Sequence, residues 1–575
     1  MKKASYFLTI PLFLLLTFCF SAFLPSCLNV QDKPNVILIL TDDQGYGDIG
    51  AHGSPYVKTP AMDQLHDQSI CLTNFHVDPC CAPTRSALMT GQYSSRTGVW
   101  HTIGGRSLLG TDNVTMAEVF RDAGYKTAIF GKWHLGENYP FRPMDRGFEE
   151  SVIHGGGAVG ANPDYWGNDY FDDTYLHNGV HEQYKGYCNT VWFTEAAKFV
   201  RENSDNPFFC YVSTNVPHAP LLVDSVYSLP YKSMVSERLA NYYGMITKLD
   251  EDLGVFLQEI DDLGLTDNTI LIFMTDNGPC PWFGGIIIDD QGFPIEGYSC
   301  GMRGGKIWGY ENAHRVPCYI RWPEREIGGG IEISKLTAHM DLLPTLIDWC
   351  GLETPENGRF DGISLNTLIT QPEAPWPDRT LFVHNQRVDY PEKYKEYQVM
   401  TENWRLLSRD SLELYDIISD PGQRIDLSAD NPEIVKTLAA QYELWWQHIS
   451  ENFDKYNSII IGNEKANPVM LFGHDAHRPS NEPRFWVVDV EKEGSYEFIP
   501  YLRPKESGRN MEGSKVIRAF LKIGNNQFEK KISNVDDPFS FSLELKKGQT
   551  KISAWLETEE KTLNVYSIEV EGGDG

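Results

Sequence analysis

Two short acidic pairs carry the first legible chemistry in this sequence. Asp42 and Asp43 close the apolar run Asn35-Val36-Ile37-Leu38-Ile39-Leu40, and Asp276 and Asn277 close a second, Thr269-Ile270-Leu271-Ile272-Phe273-Met274. Three carboxylates and one amide oxygen make an all-oxygen donor set, suited to Ca2+ and, with fewer protein ligands, to Mg2+. Either pair alone reads first as a helix cap after a strand. Two pairs at equivalent positions favour a cation. A third stretch, Cys80-Cys81-Ala82-Pro83-Thr84-Arg85, read by itself, is a reactive or buried cysteine in a turn. His134 and His218, taken singly, read as structural histidines.

These side chains need a scaffold that brings distant segments together. Continuous apolar runs such as 35–40 and 269–274 fit strands buried on both faces, as in a parallel sheet covered by helices. Shorter β-rich runs lie at Lys126–Phe130 and Pro207–Val212, with helical periodicity at Thr115–Ala123 and Leu239–Glu259. Strands alternating with helices predict an α/β fold, and polar residues just past the strand ends mark its ligand site. After about residue 450 the pattern shifts to short alternating strands separated by Gly, Asn and Asp turns. That spacing predicts an antiparallel β-sandwich over 467–575, either a packing appendage or a carbohydrate-binding module.

Composition limits the partners. With 575 residues, 41% hydrophobic and 22% charged, the chain can bury a full core. Its 50 basic and 79 acidic side chains give a formal charge of −29, which excludes broad electrostatic binding to nucleic acid. Any anion it takes must meet a local cluster of cations. Residues 1–27 resemble an export signal: Lys2 and Lys3, an apolar run from Tyr6 to Leu24, then Leu24-Pro25-Ser26-Cys27. A membrane-spanning helix is the alternative, but Pro11 and Pro25 interrupt it. The small residue before Cys27 also resembles a bacterial lipoprotein box, which would place a lipid anchor on that cysteine. The expected location is the periplasm, the cell surface or the medium. Of the eleven cysteines, Cys71, Cys210, Cys318 and Cys350 read as buried thiols, while Cys280 and Cys300 bracket a loop that a disulfide could close.

The stretch from Cys81 to Gly91 matches Cys-x-Pro-Ser/Thr-Arg, four residues, then Thr-Gly. It resembles the signature of the type I sulfatases of the alkaline-phosphatase superfamily, with Cys81 at the position that the family oxidises to formylglycine. The other segments follow in order: Asp42-Asp43-Gln44-Gly45, Gly131-Lys132-Trp133-His134-Leu135-Gly136, Pro217-His218-Ala219-Pro220, Thr275-Asp276-Asn277-Gly278, and Arg303-Gly304-Gly305-Lys306 with Glu311 and Arg315. The resemblance covers about residues 34–450. One departure is Asn312-Ala313, where the family usually has two glycines, and this puts the local loop shape in question.

The resemblance implies a central mixed sheet flanked by helices, and hydrolysis of a sulfate ester through a formylglycine–sulfate intermediate. It implies that the hydrated aldehyde from Cys81 joins Asp42, Asp43, Asp276 and Asn277 as a metal ligand, with Ca2+ expected over Mg2+. It assigns Arg85 to orienting the hydrate, Lys132 and Lys306 to stabilising charge, His218 with Lys306 to the leaving oxygen as acid, and His134 to the base. It also implies a maturation partner, either a formylglycine-generating enzyme or an anaerobic maturase. The glycine-hinged, aromatic segment His154–Tyr170 and residues His101, His154, His384 and Arg387 are the expected wall for a sulfated carbohydrate. Ulvan or carrageenan is the first substrate class and glycosaminoglycan fragments the second. The competing readings are a phosphate or phosphonate ester hydrolase of the same superfamily and a non-catalytic carbohydrate-binding protein.

Overall fold

The computed structural model describes residues 33–573 except 357, 410, 481, 509–514 and 533–538. The leader run and Cys27 lie outside the described residues. A ten-stranded mixed sheet organises the first part of the chain. Its centre is five parallel strands in the spatial order Thr269–Thr275, Asn35–Thr41, Phe208–Ser213, Lys126–Lys132 and Glu150–His154. The Cys318–Arg321 strand pairs antiparallel with Thr269–Thr275 on one side, and Thr174–His177 pairs antiparallel with Glu150–His154 on the other.

The apolar runs form central strands because both of their faces are covered. Along Asn35–Thr41, Val36, Leu38 and Leu40 enter one core while Ile37 and Ile39 enter the other, as the period-two alternation of strand side chains requires. The long helix Glu237–Asp262 covers the second core through Leu239, Tyr242, Ile246, Leu249, Leu253 and Phe256. On the opposite face the helix Cys81–Thr90 is buried at all ten positions. The helix predicted at 115–123 runs Met116–Asp122 and starts in a capping box, with Thr115 Oγ1 accepting from Glu118 N and Glu118 Oε2 from Thr115 N.

A four-stranded antiparallel sheet follows, from Leu381–His384 to Leu412–Asp416, and packs against the helix Pro432–Ile449. The C-terminal region is a sandwich of a six-stranded and a four-stranded sheet around one core. Its pairings are antiparallel except one: Ile459–Ile461 joins Trp486–Val490 in parallel. That strand precedes residue 467, so the sandwich recruits part of the connecting segment. Leu108 and Phe141, from the part of the chain that holds the ten-stranded sheet, enter the sandwich core, so the two regions share apolar packing. Cys280 and Cys300 are free thiols, and Cys300 Sγ instead donates to His52 O.

Candidate active site

The strand ends deliver the site. Asp42 and Asp43 follow Asn35–Thr41, Asp276 and Asn277 follow its neighbour Thr269–Thr275, and Lys132 ends Lys126–Lys132. Backbone bonds from Asp276 N to Thr41 O and from Asp42 N to Val216 O hold the turns together. Lys132 is turned inward at Gly131, whose φ is +114° and where an added Cβ would lie 2.1 Å from Ser213 O. Only glycine fits there. Asp43 and His134 also take positive φ, 64° and 58°, a cost for non-glycine residues that concentrates at functional sites.

Charges alternate around this floor. Lys132 Nζ lies 2.5 Å from Asp42 Oδ2, Lys306 Nζ 2.5 Å from Asp43 Oδ1, and Arg85 NH2 2.7 Å from Asp276 Oδ2. Arg85 also donates to Lys132 O at 3.0 Å and to Ser213 Oγ. Cys81 opens its helix and Arg85 lies one turn further on, so both share the face directed at the strand ends. Burial would lower the Lys306 pKa, but Asp43 and then Cys81 raise it well above the usual lysine value. Burial would raise Asp42, yet Lys132, His218 and Arg85 together hold it well below the usual carboxylate range.

The donor set fits a divalent cation. Asn277 Nδ2 donates to Asp43 Oδ1 at 2.7 Å, which leaves Asn277 Oδ1 buried without a partner, and Asp42 Oδ1 is orphaned in the same way. Two orphaned buried oxygens on one floor leave lone pairs open to a donor or a cation. Asp42, Asp43 and His218 can place ligand atoms on one point. Asp276 is pushed up to about 7 by burial first and then by Asp42, against the opposing pull of Arg85. Three carboxylates face the three cations Arg85, Lys132 and Lys306. A bound divalent ion would leave this cluster at about +2, ready for an anion.

The histidines have defined tautomers. His134 Nε2 lies 2.9 Å from Thr102 O, a carbonyl that only accepts, so Nε2 carries the hydrogen and Nδ1 keeps a free lone pair. Burial, then Lys132, hold its pKa well below 6.5. His218 Nδ1 donates to Ala219 O at 2.6 Å, and its Nε2 lies 3.7 Å from Asp43 Oδ2. Its pKa is lowered, by burial first, so the histidine expected as an acid is neutral at rest while Lys306 is charged.

The expected wall divides. His154 pairs in register with Lys132 and is buried; its Nδ1 donates to Gly155 O and its Nε2 has no partner. Arg387 NH2 donates to Thr102 Oγ1 at 3.0 Å, beside the carbonyl that holds His134, and His101 lies next to Arg387. His384 does not belong to the wall. It is buried, with its ring centroid 5.5 Å from Trp446 and 5.9 Å from Trp445, and its Nε2 accepts from Gln386. The strand places it toward the Pro432–Ile449 helix, and burial lowers its pKa to about 3. Asn312-Ala313 form part of a helical turn, Glu311–His314, at ordinary φ. Asn312 Nδ2 donates to Gly304 O and Ala313 O accepts from Gly278 N, so the turn closes without glycines. Sequence reasoning missed Ser213, Thr102 and His474, whose ring centroid lies 5.6 Å from that of His134. Nothing in the sequence linked position 474 to position 134.

The Sulfatase family model matches residues 34–352, more than half of the chain, and includes every strand-end residue described above. The chain belongs to the sulfatase family. A second model, described as N-sulphoglucosamine sulphohydrolase, C-terminal, matches residues 305–445 of this sulfatase. Among curated relatives, arylsulfatase J of Mus musculus is 27% identical over 71% of this chain and 74% of its own. The ulvan-active sulfatase of Formosa agariphila is 27% identical over 77% of this chain and 88% of its own. The crystal structure of Ps i-CgsB in complex with k-i-k-neocarrahexaose superimposes with a TM-score of 0.66 at 25% identity, covering 74% of this chain and 95% of that one. This sulfatase is a sulfuric ester hydrolase, and its family uses a metal ion and formylglycine.

Proposed function

We propose that this sulfatase releases sulfate from a sulfated carbohydrate, with Cys81 in its formylglycine form and Ca2+ held by Asp42, Asp43, Asp276, Asn277 and residue 81. The observation that carries the reading is the neutral cluster of three carboxylates and three buried cations with orphaned Asp42 and Asn277 oxygens, at the N-terminus of the Cys81 helix. The bound ion would polarise a sulfate oxygen and lower the pKa of a hydroxyl, and the hydrated aldehyde would supply two hydroxyls on one carbon. Arg85, fixed on Asp276, Lys132 O and Ser213, orients residue 81. Lys132 and Lys306 meet charge spread over the sulfate oxygens. His134 offers Nδ1 as the acceptor of a hydroxyl proton, because Nε2–H is committed to Thr102 O. Lys306 arrives charged and is the donor toward the leaving oxygen; His218 must first be protonated to share that role.

Sulfated algal polysaccharide is the first substrate class. It is supported by the ulvan-active relative and by the neocarrahexaose complex of the superimposable protein. The proposed enzyme is exported, to the periplasm or cell surface with a lipid on Cys27 or else into the medium, and a maturation enzyme converts Cys81; the leader-like residues 1–27 support the export part. The test is sulfate release from ulvan, carrageenan, fucoidan, glycosaminoglycan fragments and an aryl sulfate, using protein co-produced with a maturase. The Thr59–Arg85 tryptic peptide should show thiol-to-aldehyde conversion, and release should vanish in Cys81→Ala and on calcium chelation. Mature protein that releases sulfate from no sugar would overturn the carbohydrate reading.

A further inference from the structure

The segment Gly473–Arg478 leaves the Val469–Phe472 strand of the sandwich and crosses onto the catalytic region. It is pinned there. His474 O accepts from Gly104 N at 2.7 Å, His474 N donates to Asn162 Oδ1, and His477 Nδ1 lies 2.8 Å from Asp389 Oδ1. Asp389 also sits 3.6 Å from Arg106 Nε and accepts from Tyr456 OH. An added Cβ on Gly105 would lie 2.4 Å from the His477 ring, so no side chain separates the two regions. This seating brings the His474 ring beside His134.

Two exposed arginines flank that contact. Arg387 reaches Thr102 Oγ1 and Arg478 reaches Gly473 O. Among the described residues neither is within ion-pair distance of a carboxylate, in a chain whose formal charge is −29. The pKa of Arg478 is lowered by burial and then by Arg484 and Arg387, the mark of cations sharing a space without an anion. Asp475 and Glu137 do not neutralise them. Asp475 is buried and Glu137 half-buried, and their carboxyls are pushed up, Glu137 to about 7, by burial first. His474 is lowered to about 4, by burial and then Arg478, so it faces a ligand as a neutral hydrogen-bonding ring.

We propose that the sandwich domain is part of the substrate site: His474 and Arg478, with Arg387 and His101, receive a second anionic group on the sugar whose scissile sulfate lies at residue 81. This rests on the carbohydrate reading above. The second group is a carboxylate or another sulfate, each of which a guanidinium holds through charge-assisted bonds. The sandwich is then a specificity element, neither a packing appendage nor a separate sugar-binding module.

The experiment compares mature wild type, Arg478→Ala, Arg478→Lys and Arg387→Ala on three matched sugars: one carrying the scissile sulfate alone, one with an added carboxylate and one with an added second sulfate. The readout is the ratio of kcat/KM for each doubly anionic sugar to that for the singly sulfated one. Arg478→Ala and Arg387→Ala should each lower at least one ratio by roughly 10- to 100-fold, the worth of a charge-assisted hydrogen bond. Arg478→Lys should recover part of it. The arm that falls identifies the carboxylate or the sulfate. Ratios unchanged in both alanine variants, with wild type active on the sugars, overturn this inference alone. Wild type active on an aryl sulfate but on none of the sugars overturns it together with the carbohydrate reading.

Discussion

Among the described residues two clusters carry groups able to bind a metal, and they differ in charge. One is the strand-end cradle of Asp42, Asp43 and His218, the other is His76, Glu311 and His314. In the cradle, three carboxylates meet three cations and two oxygens remain orphaned. In the second cluster a single carboxylate already faces two guanidinium groups, Arg405 at 2.7 Å and Arg315 at 3.9 Å. His76 Nε2 lies 2.7 Å from Asn74 Oδ1, and His76 Nδ1 lies 2.9 Å from His314 Nδ1. Burial holds both rings neutral, with His314 lowered to about 4. A divalent ion there would confront two arginines. The second cluster is therefore a clamp that fixes the Trp404–Ser408 strand to the Glu311–His314 turn and the short Phe75–His76 strand. Glu311 Oε2 and His314 Nε2 are orphaned as well, so ligand type, proximity and free lone pairs do not make a metal site; the charge balance separates the two, three carboxylates against three cations in the cradle and one against two in the second cluster.

The contrast can be broken by substitution. Asp43→Ala should abolish sulfate release, by roughly a thousandfold or more, because it removes a cation ligand and the Lys306 partner together. Sulfate release by mature protein checks this, and retention of more than a tenth of wild-type turnover would remove Asp43 from the cradle. Glu311→Gln should instead destabilise the fold by about 3–5 kcal/mol, because it leaves Arg405 buried without its counter-charge. Denaturant unfolding measures that loss, and an unchanged midpoint would deny the clamp. Calcium should raise the melting temperature of wild type but not of Asp42→Asn, and at 100-fold excess over Kd the gain is about 2.7 kcal/mol. Zinc should give no shift that depends on His314; if it did, the two clusters would be alike.

Asp48 sharpens the comparison from beside the cradle. Its Oδ2 accepts from Gly45 N and Tyr242 OH, while its Oδ1 is orphaned. Burial pushes its pKa up to about 7, against the opposing bonds from Tyr242 and Gly45. The folded state therefore binds a proton that the unfolded chain releases near pH 4. Stability should be greatest below that value and fall as pH rises toward 7, by roughly 2–4 kcal/mol. Asp48→Asn should flatten this fall, giving the variant its largest relative gain at pH 8. Thermal melts of both proteins from pH 5 to 8 check the sign, and a variant that gains nothing at pH 8 would show that Asp48 is ionised.

The strand-end acidic residues were legible because each pair follows an unbroken apolar run, and strands buried on both faces end where such a sheet binds ligands. The paired strand ends needed no long-range information, whereas the stretch read as a cysteine in a turn is the start of the helix Cys81–Thr90. His384 was misread for a physical reason. Alternation along its strand points it at Tyr442, Trp445 and Trp446, and which face of a short strand is covered depends on a helix about fifty residues later. The metal-capable look of His76, Glu311 and His314 depends on Arg405, which reaches them from another sheet.

By itself the sequence determined the kind of chemistry: acidic and amide oxygens at two strand ends, and a cysteine motif with lysines and histidines in the order of a sulfatase. Those follow from local pattern, since strand burial is written within a few residues of each donor. Only the tertiary structure decided protonation and company. The carbonyl of Thr102 chooses the His134 tautomer, burial keeps His218 neutral, and the sandwich carries His474 to a ring some 340 positions earlier in the chain. Burial and long-range contact set these properties, and both belong to the packed whole rather than to any segment of it.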